Sequence, residues 1–182
     1  QLRTLEADAR TAGGQAGRAE SLLVAFASRR ALDRGQPLGY LEGELRRRFG
    51  ATQPQAVATV LDAARRPVTL EDLRSALDTI APALAAGDPN ESWWQGVRRE
   101  ASQLVVIRRD AAPIATAADR LTAARRQLGA GQVEAALAEV TLMPGAGGAI
   151  SWIEAAQRYV RSRRALVAIE TAAIQPPAAP LP

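Results

Sequence analysis

The sequence contains no cysteine, no histidine and few aromatic residues. These absences exclude disulfides, thiol nucleophiles, Ser-His and Cys-His pairs and the usual zinc ligands. There is no Gly-rich loop after a strand pattern, no base paired with a nucleophile and no Asp-rich loop of the calcium type. We therefore expect a protein that is not an enzyme and that uses no metal ion or cofactor. Aromatic residues make up only 4% of the chain, so alanine, leucine and valine must build the core.

Lysine is also absent, so all 23 basic residues are arginine, and the net charge is +4. Exclusive use of arginine, with so much alanine and glycine, is typical of a GC-rich coding sequence and says little about partners. The arginines form short clusters interleaved with acidic residues, which favours solvated helix surfaces over one continuous basic face. We expect no nucleic-acid partner. The triplet at 46–48 is interpreted as complementing the negative end of a helix, with an anion site as the alternative.

No apolar run approaches the length of a membrane span, and no signal peptide is present. The chain begins with Gln1 rather than methionine. From this we expect a fragment or a processed product, and we expect any membrane anchor to lie upstream.

Apolar residues recur at helical spacing, and the sequence shows neither an alternating strand pattern nor a hairpin turn signal. We therefore predict an all-α bundle of about six to eight helices. Residues 1–17 are interpreted as the end of an upstream helix or a linker, which the Gly13-Gly14 pair should interrupt. Residues 18–174 are predicted to form the helical domain, and residues 175–182 a Pro- and Ala-rich extended tail.

Glycine, proline and threonine mark the predicted helix boundaries. Gly35 and the proline that follows should end the first helix. Thr52 and Thr116 are predicted N-caps, and Thr69 begins a pattern that resembles a capping box. The apolar side of the first helix is predicted to carry Leu22, Leu23, Phe26, Ala27 and Ala31.

The segment Ser92–Asp110 combines two adjacent tryptophans with two Arg-Arg pairs and an aliphatic run. On a helix, with about 100° per residue, the tryptophans and most aliphatic residues fall within an arc of roughly 160°. We predict an amphipathic helix over residues 91–110 that lies at the surface of an anionic membrane. The alternative is a core helix whose tryptophans pack against its neighbours. The predicted lipid-binding residues are Trp93, Trp94, Val97, Arg98, Arg99, Leu104, Val105, Arg108 and Arg109.

The last three predicted helices resemble the C-terminal signature of the mitofilin family. The similar stretches are RLTAARRQLGAGQVEAALAEVTLMPG at Arg120–Gly145 and SWIEAAQRYVRSRRALVAIETAA at Ser151–Ala173. They contain a Gly turn, an AALAEV-type helix, a Pro-Gly break and a helix that begins with tryptophan. The stretch FASRRALDRGQPLGYLEGELRRRFG at Phe26–Gly50 also resembles the alphaproteobacterial members. The resemblance covers residues 20 to 174 and consists of helix-packing patterns rather than a catalytic fingerprint.

The resemblance implies a structural role. Mitofilins have an N-terminal membrane span and a coiled coil, and their C-terminal domain faces the intermembrane space or the bacterial periplasm. They oligomerise, contact outer-membrane partners and bind and bend the inner membrane. In the family a lipid-binding amphipathic helix precedes the final helices, and Ser92–Asp110 stands in that place. The resemblance therefore implies a location at the bacterial inner membrane facing the periplasm, anionic lipid as a partner, homo-oligomers, and an outer-membrane or periplasmic protein partner.

Trp152, Tyr159 and Leu166 lie at sevenfold spacing, which is typical of a helix–helix seam and predicts a protein interface. The alternative is that these residues close the core of the chain itself. The Gly-turn helix pair also resembles a tetratricopeptide hairpin and the periplasmic part of HemX-type proteins. The tetratricopeptide likeness gives a competing function, a periplasmic adaptor that binds proteins without lipid and that should have a concave groove and a buried Trp93-Trp94 pair. The HemX likeness suggests a methyltransferase-like enzyme, which the missing Gly-rich loop, histidine and cysteine disfavour.

Overall fold

The described part of the chain is almost entirely helical. The computed structural model describes residues 2–86 and 115–175, which contain seven α-helices, one 3-10 helix and no β-strand. The predicted all-α class with six to eight helices is therefore confirmed. The helices are α1 (Leu2–Asp33), α2 (Leu41–Phe49), α3 (Pro54–Arg65), α4 (Leu70–Ala86), α5 (Ala117–Gly129), α6 (Val133–Thr141), the 3-10 helix (Ala146–Ala149) and α7 (Ile150–Ile174).

The helices belong to two compact units. The first unit comprises Gln1–Thr69 and Arg158–Pro182, and the second comprises Leu70–Gln157. One boundary falls between α3 and α4, and the other falls inside α7, which continues through it as a single helix. No proline or glycine marks that second boundary, so the sequence carries no signal for it.

The first unit is built from α1, α2, α3 and the C-terminal part of α7. The short helix α2 buries Leu41, Leu45 and Phe49, which recur every four residues and so share one face. Pro54 occupies the first turn of α3, where a missing backbone N–H leaves no hydrogen bond unmade. The other buried members of this core are Ala25, Ala31, Leu32, Leu38, Val57, Val60, Leu61, Ala64, Ala165, Leu166, Ile169 and Ala173.

The second unit is built from α4, α5, α6, the 3-10 helix and the first turns of α7. Its fully buried leucines are Leu73, Leu77 and Leu84, which lie at helical spacing on α4, and Leu128 of α5. The core is completed by Ala81, Ala124, Val133, Ala136, Val140, Met143, Ala149, Trp152 and Ala156.

Two glycines end helices in the left-handed region of backbone space. Gly35 has φ 64°, and the amide of Gln36 donates to the carbonyl oxygen of Ala31 over 2.8 Å. Gly131 has φ 76°, and the amide of Gln132 donates to the carbonyl oxygen of Gln127 over 2.8 Å. Both arrangements are Schellman motifs, in which a residue without a side chain avoids the steric cost of positive φ. The predicted end of the first helix at Gly35 is confirmed.

The predicted interruption at Gly13-Gly14 is wrong, because α1 runs unbroken from Leu2 to Asp33. A Cβ atom at either glycine would meet nothing within 4 Å, so neither residue serves a close contact. A helical glycine costs about 1 kcal/mol relative to alanine, and the Ala-, Arg- and Glu-rich flanks supply enough helix propensity to continue the helix.

The predicted apolar side of α1 is only partly buried. Leu23 is 68% exposed and Phe26 is 54% exposed, whereas Ala25, Ser28 and Leu32 face the core. The run LLVAFA surrounds the helix with apolar residues, so its pattern does not decide which side packs. The buried serine satisfies its hydroxyl within the helix, because Ser28 Oγ donates to the carbonyl oxygen of Val24 over 2.8 Å.

Candidate functional site

The predicted membrane helix lies outside the described residues, but the structure shows where the chain leaves and re-enters the second unit. The helix α4 ends at Ala86 and α5 begins at Ala117. Arg125 Nε lies 2.8 Å from Asp78 Oδ1, and Arg74, one turn earlier in α4, donates to the carbonyl oxygen of Leu128. The two helices therefore run antiparallel, and the C-terminus of α4 lies at the same end of the pair as the N-terminus of α5.

Nine predicted lipid-binding residues fall between these two attachment points and lie outside the described residues, as do residues 176–182 of the predicted tail. The described residues on either side of the segment, at the end of α4 and the start of α5, lie at one end of a single helix pair. The nine residues are Trp93, Trp94, Val97, Arg98, Arg99, Leu104, Val105, Arg108 and Arg109.

Thr116 is the N-cap of α5, as predicted, and it forms a capping box with Asp119. The amide of Asp119 donates to Thr116 Oγ1 over 3.2 Å. In return, the hydroxyl and the amide of Thr116 donate to Asp119 Oδ2 over 2.7 and 3.0 Å. These two hydrogen bonds, first from the hydroxyl and then from the amide, hold the pKa of the Asp119 carboxyl below its usual range. The chain therefore has a defined direction where it returns from the predicted membrane segment.

The far end of the same pair is held by Arg74. Its Nε and Nη2 atoms donate to the carbonyl oxygen of Leu128 over 3.1 and 2.8 Å, and Nη2 also donates to the carbonyl oxygen of Gly129 over 3.1 Å. These carbonyl groups lie at the end of α5, and the guanidinium group adds hydrogen bonds to both, although the carbonyl oxygen of Leu128 also accepts from the amide of Gly131 over 3.0 Å. The Asp78–Arg125 ion pair lies beside this contact, and the residues surround an open depression of about 260 Å³. Its charged groups already have partners, which does not favour a ligand site.

Gly145 closes the end of the unit where α4 terminates. Its amide donates to the carbonyl oxygen of Leu84 over 3.1 Å. A Cβ atom at this position would lie 2.2 Å from the carbonyl oxygen of Ala83 and 2.7 Å from the Cα atom of Leu84. Only glycine fits so close to the backbone of α4. The sequence marks this residue as part of a Pro-Gly helix break, but it gives no sign of the contact.

Trp152 belongs to the core of the second unit. It is 4% exposed, and its indole Nε1 donates to the carbonyl oxygen of Leu73 over 2.9 Å. The hydrogen bond satisfies the polar atom of a buried ring and joins the first turn of α7 to the first turn of α4. In this conformation the side chain has almost no surface left for a partner.

Tyr159 and Leu166 lie in the first unit. Leu166 is fully buried, whereas Tyr159 is half-buried. The hydroxyl of Tyr159 accepts a hydrogen bond from Arg163 Nη2 over 3.0 Å, and the guanidinium carbon lies 4.8 Å from the ring centroid. Arg163 also forms an ion pair with Asp33. An interface role stays a prediction for the three residues, and Tyr159 has the most side-chain surface available for it.

Acidic neighbours balance the arginine triplet of α2. Arg46 pairs with Glu42, and Arg47 pairs with Glu44. Arg48 donates to Glu20 over 2.7 Å and to Glu44 over 3.1 Å. The hydrogen bond to Glu20 contributes most to raising the pKa of Arg48 above its usual range. The triplet lies in the last turn of α2, as the dipole interpretation predicts. Its charges are largely neutralised within the unit.

Arg29 forms a bidentate ion pair with Glu170 in the first unit. Its Nε and Nη2 atoms donate to the two carboxylate oxygens of Glu170 over 2.5 and 2.7 Å. Both side chains are mostly buried, and the hydrogen bond to Glu170 is the main cause that raises the pKa of Arg29. This bidentate contact joins α1 to α7. It could not be predicted from the sequence, because the two residues lie so far apart in it.

Within residues 2–86 and 115–175, no group of three acidic side chains is arranged to hold a metal ion. Among the helices of these same ranges, none has the length and apolar character needed to cross a bilayer. No family model, curated protein or solved structure matches this chain. The resemblance to mitofilins stays a prediction from the sequence patterns at Phe26–Gly50, Arg120–Gly145 and Ser151–Ala173.

Proposed function

We propose that this chain is a non-enzymatic, membrane-organising scaffold of the mitofilin type. In this proposal, Ser92–Asp110 binds the anionic surface of a bacterial inner membrane from the periplasmic side, and the chain self-associates and bends the bilayer. The observation that supports the proposal is the antiparallel α4–α5 pair, in which the end of α4 at Ala86 and the start of α5 at Ala117, the two helix ends that flank this segment in the sequence, lie at the same end of the pair.

Curvature follows from one-sided insertion. Trp93, Trp94, Val97 and Leu104 would displace lipid in one leaflet only, because a helix of this amphipathicity lies in the interface instead of crossing the bilayer. The arginines of the segment would meet lipid phosphates. Each contributes on the order of 1 kcal/mol near an anionic surface, and salt weakens this contribution.

The ion pairs of the arginine triplet of α2 support assigning membrane contact to the predicted segment instead of to α2. The charges of Arg46, Arg47 and Arg48 are engaged by Glu42, Glu44 and Glu20. A cluster that is paired within the protein gains less from an anionic surface, because approaching lipid phosphates must compete with carboxylates.

The competing function is a tetratricopeptide-like adaptor. One observation favours it: α5 and α6 form a tight helical hairpin, turned at Gly131 and bridged by Arg120 and Glu139 with a nitrogen–oxygen distance of 3.1 Å. Such hairpins are the repeating unit of protein-binding solenoids. An adaptor of this kind would bind a protein partner and leave vesicles untouched.

Co-sedimentation with vesicles tests the proposal through the arginines. The full chain is mixed with vesicles of phosphatidylcholine and anionic phosphatidylglycerol, and Arg108→Gln/Arg109→Gln is compared with Arg46→Gln/Arg47→Gln. Both variants lose two charges, so a general charge effect would weaken them equally. We expect the first variant to bind about 30-fold more weakly, which corresponds to about 2 kcal/mol, and the second to bind nearly as the parent does.

Circular dichroism confirms that both variants remain helical. Equal binding of the two variants, or no loss of binding as salt rises, contradicts the proposed role of the segment. A parent chain that stays in the supernatant at low salt favours the adaptor.

A further inference from the structure

A small pocket of the first unit is lined by basic and hydroxyl-bearing residues. It lies where the last turn of α1, the end of α3 and residues 158–162 of α7 meet, and its apolar lining includes Leu32 and Val68. Its polar lining residues are Arg66, Arg158, Tyr159 and Ser162. None of the described carboxylates lines the pocket, so its polar lining favours a negatively charged ligand.

The size of the pocket limits what can enter it to a single small group. The pocket holds about 230 Å³ when the space at its open mouth is included, but the centre of a water-sized atom has only about 10 Å³ available. This is room for about one such atom. One oxygen atom of an oxyanion therefore fits inside, with the remainder of the group at the mouth.

Arg158 brings a positive charge to the pocket that nothing in the described part of the chain neutralises. Its Nε atom is buried and makes no hydrogen bond, and no described carboxylate forms an ion pair with its guanidinium group. The side chain is half-buried, so the charge is partly removed from water. A partly desolvated charge without a counterion costs free energy, which an anion bound beside it offsets.

Arg66 is a second cation at the pocket and is only weakly engaged elsewhere. Its Nη2 atom lies 3.6 Å from Asp62 Oδ2, and the two side chains are 67% and 56% exposed. An ion pair that is so exposed contributes little to stability. The guanidinium group of Arg66 is therefore available to a ligand, and guanidinium groups match the oxygen spacing of phosphate and carboxylate groups.

The side chain of Tyr159 adds a hydroxyl donor. Its oxygen accepts a hydrogen bond from Arg163 Nη2 over 3.0 Å, and its own proton has no acceptor among the described residues. Arg163 is neutralised by Asp33, so it orients the hydroxyl without adding an unpaired charge. The hydroxyl of Ser162 donates to the carbonyl oxygen of Tyr159 over 2.8 Å and has no proton left for a ligand. The pocket thus offers two guanidinium groups and one phenolic hydroxyl.

The charge of the whole first unit favours the same kind of ligand. The unit contains 15 of the 23 arginines but only 8 of the 19 acidic residues, which gives it a net charge of +7. A positive field of this kind raises the local concentration of anions and speeds their association.

We propose that the pocket binds a phosphate group, which belongs either to free inorganic phosphate or to a phosphate ester. One oxygen atom enters the pocket, and Arg66 and Arg158 hold the group at the mouth. A carboxylate carries one negative charge and is matched by one guanidinium group, whereas a phosphate group carries nearly two and is balanced by two. The site belongs to the first unit, so it goes beyond the proposed membrane contact of Ser92–Asp110 and does not depend on it.

NMR titration of the full chain with inorganic phosphate tests the proposal. The side-chain Nε–H signals of the arginines are followed while sodium chloride holds the ionic strength constant. We expect the signal of Arg158 to move along a saturable curve, because a bound phosphate changes the electric field at that buried atom. A signal that does not saturate, or that chloride alone shifts equally, overturns the proposal.

Calorimetric titration of two variants locates the site independently. Arg158→Gln removes the unpaired charge at the pocket, and Arg18→Gln removes an equal charge from an exposed position of α1, about 21 Å along the helix from Leu32. We expect Arg158→Gln to bind phosphate about tenfold more weakly with its helix content unchanged, and Arg18→Gln to bind as the parent does. Equal losses in the two variants indicate a general charge effect and overturn the pocket as the site. If Arg158→Gln does not fold, Arg66→Gln, at a largely exposed side chain, gives the same comparison.

Two further ligands identify the source of the phosphate group. Glycerol 3-phosphate presents the phosphate ester of a simple lipid headgroup, and acetate presents a carboxylate. Equal binding of glycerol 3-phosphate and inorganic phosphate supports a site for phosphate esters, whereas binding of inorganic phosphate alone supports a site for the free ion. Acetate that binds as tightly as phosphate at the same ionic strength overturns the assignment, because the second guanidinium group would then contribute nothing.

Discussion

The indole nitrogen of Trp152 donates a hydrogen bond to the carbonyl oxygen of Leu73 over 2.9 Å, inside the core of the second unit. The two residues lie 79 positions apart in the sequence, so this single contact fixes the start of α7 against the start of α4. We therefore expect Trp152 to contribute to the stability of the second unit, whatever α7 binds.

Two substitutions of Trp152 should destabilise the second unit to different degrees. Trp152→Phe keeps most of the ring but removes the hydrogen bond, and we expect a loss of about 1–2 kcal/mol. Trp152→Ala also leaves a cavity, and we expect about 3–5 kcal/mol. Urea unfolding followed by circular dichroism measures both losses. Ile150→Ala, at a side chain that is 60% exposed two residues earlier, should change stability by less than about 0.5 kcal/mol. A Phe variant as stable as the parent would show that the hydrogen bond contributes nothing.

Gly145→Ala should also weaken the second unit, because its new Cβ atom would lie 2.2 Å from the carbonyl oxygen of Ala83. Moving the loop away costs about 1–3 kcal/mol. Gly147→Ala is the matched control, since a Cβ atom there meets nothing within 4 Å. Thermal or urea unfolding compares the two variants. Equal stability of both would contradict the close approach of the loop to α4.

The capping box of α5 predicts how the pKa of the Asp119 carboxyl group responds to substitution. Folding lowers the pKa of Asp119, so the stabilising interaction is fully present above the usual carboxyl range and is lost as the pH falls through the lowered value. Thr116→Val removes the hydroxyl group that contributes most to this shift, and the pKa of Asp119 should rise towards its usual range. NMR titration of the carboxyl group measures the change. Thr122→Val, on the same helix but outside the box, should leave the titration of Asp119 where it is.

Local chemistry made several helix boundaries predictable. Gly35 ends α1 because a positive φ favours glycine, and Thr116 caps α5 because its short side chain reaches the next turn. At α3 the signal was less exact: Thr52 is the predicted cap, yet the N-cap is Gln53, which makes no side-chain hydrogen bond. The proline that follows fixes the first turn without that help.

Features that depend on distant partners could not be predicted. The apolar run around Leu23 and Phe26 fits more than one side of a helix, and only the packing of the first unit shows which side is buried. The contact of Gly145 depends on backbone about 60 residues earlier, and the pairing of Arg29 with Glu170 joins opposite ends of the sequence. For the candidate site, the sequence supplies the composition of the segment, whereas its attachment to one end of an antiparallel pair follows only from the structure.

Membrane binding by Ser92–Asp110 is the central claim, and co-sedimentation of a Trp93→Glu/Trp94→Glu variant with anionic vesicles tests it most directly. Leu142→Glu/Ile150→Glu is the matched control, because it places two charges at exposed apolar sites of the same unit, 63% and 60% exposed. The account predicts that the parent and the control pellet with the vesicles, and that the Trp variant remains folded but stays in the supernatant. The claim is contradicted if the parent fails to pellet at low salt, if the folded Trp variant pellets as the parent does, or if that variant unfolds.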